Sequence, residues 1–159
     1  MYARSIALLA VLGLAGCDII EDIQPEPKVP FTVSSIRAEN LREMRSASDE
    51  WDTDGTRPDV FIEIQNSASA TIARSAVIED ADVTQPLVFD FPDPIEAPSE
   101  TTSMFVVSFD DDGGPLSSEK MSSSEGFTIQ DVRAAEGELV LEDSRDDRGR
   151  GDAVYTLVF

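Results

Sequence analysis

From residue 31 to the C-terminus the chain repeats one pattern: short runs rich in β-branched and aromatic residues, cut by turn-forming clusters. Segments such as Val60-Phe61-Ile62-Glu63-Ile64 and Phe105-Val106-Val107-Ser108-Phe109 suit a pleated, half-buried surface. Asp-Gly, Pro-Asp-Pro and Gly-Gly-Pro clusters separate them. No segment holds a sustained helical period, although residues 40–48 have room for one or two turns. Strands are expected at 31–37, 60–65, 71–78, 87–91, 104–109, 127–132, 138–142 and 153–159. About eight short strands in one domain predict an all-β fold, a single antiparallel β-sandwich over residues 31–159.

What the chain lacks narrows its chemistry. It has no His and a single Cys. Ser-His-Asp and Cys-His catalysis, His-ligated metals, thiolate zinc sites and internal disulfides are therefore excluded. The serines at 117, 118 and 122–124 have no base partner, and no carboxylate pair stands out, so the chain does not read as an enzyme. Twelve basic against 32 acidic residues give a net charge of −20, which opposes nucleic-acid binding. Hydrophobic residues still make up 41 % of the chain, enough to build a core.

The N-terminus points to a compartment. Residues 1–4 carry one positive charge, and residues 6–15 are apolar. That run has the length of a secretory h-region and is too short to span a bilayer, which takes about 20 residues. It ends at Leu14-Ala15-Gly16-Cys17, followed by Asp18. This segment resembles the lipobox of bacterial lipoproteins. The resemblance implies that residues 1–16 form a signal peptide and that Cys17 is lipidated. It also implies a lipid-anchored protein of the cell envelope, facing the periplasm or exterior. Residues 17–30 then read as an acidic tether, with Pro25, Pro27 and Pro30 favouring an extended spacer.

Two acidic segments flank the expected strands. The first runs from Asp49 to Asp59 through Asp52, Asp54 and Gly55; the second runs from Asp110 to Glu119 through Asp111 and Asp112. Crowded carboxylates repel one another unless a cation or water intervenes, and calcium takes 6–8 oxygen ligands in flexible geometry. Counted from Ser108, the second segment matches the spacing of an EF-hand loop, with Gly113 at position six and Glu119 at twelve. An EF-hand needs a helix before that loop, and residues 105–109 read as a strand. The EF-hand reading fails.

The same residues resemble a C2 domain, the β-sandwich family that binds calcium and lipid. Asp59-Val60-Phe61-Ile62 has the shape of the family's Asp-Pro-Tyr-Val strand, with the Pro placed before the Asp here. Phe109-Asp110-Asp111-Asp112 has the shape of its Asp-x-Asp loop, and Pro86-Leu87-Val88-Phe89-Asp90-Phe91 that of its aromatic strand. The resemblance spans roughly residues 31–124. It implies calcium as a ligand and Asp52, Asp59, Asp110, Asp112 and Glu119 as the residues that hold it. The basic strand that many C2 domains use for phosphoinositides is absent. The expected role is non-catalytic: a membrane-anchored interaction domain with an envelope protein as partner. The alternative is a passive structural or solute-binding lipoprotein. Its acidic loops would then keep a salt-adapted surface hydrated, without a metal site.

Overall fold

The computed structural model describes residues 27–42, 56–91, 94–111, 118–143 and 152–159. Ten strands and one short helix follow in chain order: β1 (Val29–Phe31), β2 (Ser35–Glu39), β3 (Val60–Asn66), β4 (Thr71–Arg74), β5 (Leu87–Asp90), β6 (Ile95–Ala97), β7 (Met104–Asp111), β8 (Ser118–Ser123), α1 (Ile129–Ala134), β9 (Glu138–Glu142) and β10 (Val154–Val158). They form two four-stranded antiparallel sheets, ordered β5-β2-β10-β9 and β4-β3-β7-β8, and a short β1-β6 pair. The protein is an all-β sandwich, as its sequence pattern predicts.

Alternation of side chains builds the core. Ile36 and Ala38 on β2, Leu87 and Phe89 on β5, and Tyr155 and Leu157 on β10 point inward from one sheet. Val60, Ile62 and Ile64 on β3 meet them with Met104 and Val106 on β7. A register slip of one residue would turn each such set to the opposite face, so this pattern pins the pairing.

One polar seam crosses the core. The hydroxyls of Ser108 on β7 and Tyr155 on β10 lie 2.9 Å apart, joining the two sheets. Beside them Ser122 on β8 donates to Asp143 Oδ2 at 2.8 Å. Burial pushes the Tyr155 phenol up to about 12, because the charged phenolate would lose its water; the hydroxyls of Ser108 and Ser122 pull in the opposite direction.

The expected strands at 60–65, 87–91, 104–109, 138–142 and 153–159 form with small shifts of boundary. The strand expected at 127–132 is instead mostly helix. Thr128 accepts the Asp131 amide and Asp131 accepts the Thr128 amide, a capping box that starts α1. Ile129 and Val132, three residues apart, then share the buried side. The strand expected at 71–78 stops at Arg74, with Ile78 adding only an isolated bridge to Val60. β8 was not expected: its serines carry little strand preference, and pairing with β7 holds them. β1 begins at Val29, two residues inside the segment read as tether.

Candidate functional site

The pairing of β3 with β7 sets one corner of the sandwich. Val60 faces Asp110, so the chain entering β3 and the chain leaving β7 lie side by side. The Asp59 amide donates to Asp110 Oδ1 at 3.1 Å, and the Asp111 amide donates to the Asp59 carbonyl at 2.8 Å. A third segment joins them. The Asp80 amide donates to Asp59 Oδ1 at 2.8 Å, and the Ala81 amide donates to the Pro58 carbonyl at 2.8 Å. Asp80 takes a left-handed backbone with φ of 51°, a conformation that Asp tolerates better than most residues. On the other side β8 sets Glu119 directly opposite Asp110.

Asp110 is fully buried on the inner face of its sheet, so its carboxylate lies away from bulk water. Asp111, on the outer face, pairs with Arg74 at 3.2 Å. The Arg74 guanidinium also lies 3.6 Å from the centre of the Phe61 ring, and Phe61 stacks on Phe109 with ring centres 5.2 Å apart. This layered contact buries Phe61 on the outer face of its sheet. Nearby, Arg57 pairs with Asp82 at 3.4 Å. The Thr84 hydroxyl donates to Asp82 Oδ1 and, with a weaker pull from Arg57, holds that carboxyl below its usual range.

The structure thus gathers Asp59, Asp110 and Glu119 at one corner. Asp52, Asp112 and Cys17 lie outside the described residues. Among the described residues no group of three or more carboxylates is disposed to hold a metal ion. Asp110 and Asp111 belong to β7, and Ser118 and Glu119 to β8, so the second acidic segment is a hairpin with strand-held ends rather than one long loop. Sequence reasoning passed over the turn at 79–82 and Arg74. The signal was present in Glu79-Asp80-Ala81-Asp82, a third acidic run, but nothing local tied it to Asp59. Chemically the corner offers adjacent carboxylates beside one guanidinium, oxygen donors of the kind that hard cations take. No protein-family model matches the chain, and no curated protein is significantly similar to it.

Proposed function

We propose that the protein is a lipid-anchored lipoprotein of the cell envelope whose C2-like sandwich binds calcium at the Asp59–Asp110 corner and serves as a non-catalytic interaction domain. The observation that carries this reading is the β3–β7 pairing, which brings the two acidic segments out of adjacent strands. Asp59 and Asp110 each commit one carboxylate oxygen to a backbone amide, which fixes the pair in place. Two carboxylates do not complete a calcium shell of 6–8 oxygens. Asp52, Asp112 and Glu119 are the residues that would add to it. Calcium bound here would stiffen the corner or bridge it to a partner protein, since Cys17 already supplies membrane attachment.

Calcium titration against thermal stability at fixed ionic strength tests the metal. Binding should raise stability by about 2.7 kcal/mol at a hundred times Kd. Asp59→Asn and Asp112→Asn should each remove most of that gain. An unmoved midpoint in millimolar calcium would exclude the site. Retention of the gain in both variants would move the ligands elsewhere. For the anchor, Cys17→Ser should shift the full chain from the membrane to the soluble fraction, and unchanged fractionation would exclude lipidation.

A second reading rests on the same hydrogen bonds. Asp59 and Asp110 already bind backbone amides, and Asp111 already pairs with Arg74, so the corner can be a structural feature of a passive lipoprotein with a solvated acidic surface. That protein would gain stability from salt without regard to which cation is added.

A further inference from the structure

The outer faces of the two four-stranded sheets are finished differently. On β4-β3-β7-β8 the aromatic pair Phe61 and Phe109 is covered from within the chain by the Arg74 guanidinium. On β5-β2-β10-β9 the inward positions hold core residues such as Ile36, Phe89, Leu141 and Leu157, so the alternate positions face out. Register sets four of these in one row across the sheet: Val88, Arg37, Thr156 and Val140. The valines at the two ends of the row are 56 % and 55 % exposed. Beside the row on β10, Val154 and Val158 also face out and are half-buried. An antiparallel strand with one face in water alternates apolar and polar residues, whereas β10 is apolar or β-branched at all five positions.

Charge decides what can lie on this face. Val140 stands between Glu138 and Glu142 on β9 at alternate positions, and Val88 stands two residues before Asp90 on β5. These three carboxylates are exposed and face out with the valines, and among the described residues none of them forms an ion pair. Arg37, the cation of the row, is held by Glu39 at 2.9 Å, so that pair adds no net charge. The face therefore presents apolar side chains within an acidic margin. A second copy would set the same acids against each other, on chains of net charge −20. An anionic lipid surface is repelled for the same reason. Size agrees with charge. Four adjacent strands of five residues make a face of about 14 Å by 13 Å, on the order of 200 Å². A stable protein interface takes about 800 Å² from each partner. What fits is a short segment with an apolar stripe and Lys or Arg along its margins. A helix, about 10 Å across with its side chains, lies within that width.

We propose that the outer face of the β5-β2-β10-β9 sheet docks a basic amphipathic helix of a partner protein. Val88 and Val140 meet its apolar stripe, and Asp90, Glu138 and Glu142 meet its cations. This rests on the reading of the chain as an interaction domain and on nothing at the Asp59–Asp110 corner. The full-length protein would be titrated, with amide NMR shifts as the readout, against an 18-residue Leu/Lys peptide whose leucines form one helical stripe. The amides of residues 37, 88, 140 and 156 should shift in a saturable way, and those of 59 and 110 should stay still. The same peptide with its leucines spread around the helix should bind at least tenfold more weakly. Val88→Asp with Val140→Asp adds negative charge, which would strengthen a purely ionic contact, yet should weaken this one by about tenfold. Val140→Thr keeps the branched shape and strand preference, so it should fold and still weaken binding. Glu138→Gln and Glu142→Gln should each weaken it by about two- to fivefold. The proposal is overturned if the reordered peptide binds equally well, or if the valine variants bind as tightly as the unaltered chain. Saturable shifts at another face would overturn this surface and leave the interaction-domain reading standing. Binding of phosphatidylglycerol vesicles through residues 88 and 140, or a dimer that the valine variants dissolve, would overturn the choice of partner.

Discussion

Asp110 and Asp143 both bring a carboxylate to the margin of the core, and they are satisfied in different ways. Asp143 accepts a side-chain hydroxyl, that of Ser122, within a seam where Ser108 and Tyr155 join one sheet to the other. Asp110 accepts a backbone amide, that of Asp59, within a single sheet. The first arrangement holds sheet against sheet. The second fixes where a loop enters its strand and leaves the rest of the loop to other forces. Deletions in the seam should therefore cost global stability, whereas deletions at the corner should act locally.

The strongest way to break this contrast is Tyr155→Ala. Removing a fully buried ring and its hydroxyl should cost about 3–5 kcal/mol, read as a lowered denaturation midpoint. A cost no greater than that of a surface substitution would mean the seam does not hold the sheets. Alkaline unfolding sharpens it. Below pH 10 both folded and unfolded chains keep the phenol proton, so its contribution is intact. Between about 10 and 12 the unfolded chain loses the proton first, and stability should fall by on the order of 3 kcal/mol. Tyr155→Phe should remove that part of the fall; the only other tyrosine is Tyr2.

The corner should respond less. Asp110→Ala leaves the half-buried Asp59 amide without its acceptor and should cost about 1–3 kcal/mol. Asp110→Asn keeps a carbonyl oxygen there and should cost less. Amide hydrogen exchange should show protection lost at Asp59 and Asp80 and retained at Tyr155. Uniform loss across the sandwich would erase the distinction between corner and seam.

Most of the fold was legible because alternation in β3, β5, β7 and β10 is a local signal. The helix was missed because Phe127-Thr128-Ile129 reads as β-branched and aromatic until the Thr128–Asp131 capping box is counted. β8 and β6 were missed because Ser-Glu-Lys-Met-Ser-Ser and Ile-Glu-Ala owe their strand form to neighbours distant in sequence. At the corner, the grouping of Asp59 with Asp110 came from the resemblance to C2 domains, whereas the Asp80 and Arg74 contacts depend on which strands pair. No local pattern encodes that choice.

The β1–β6 pair has a mechanical consequence. It spans three residues, with Pro30 at its centre unable to donate a ladder bond. Among the described residues it is also the first structure met by a force travelling along the chain from the N-terminal side. A pull on that side would strip β1 from β6 before it loaded the four-stranded sheets, and Phe31 would leave the core with it. The sandwich would then lengthen by a few residues under modest tension and stay folded, so the short pair would act as a fuse that protects the domain behind it.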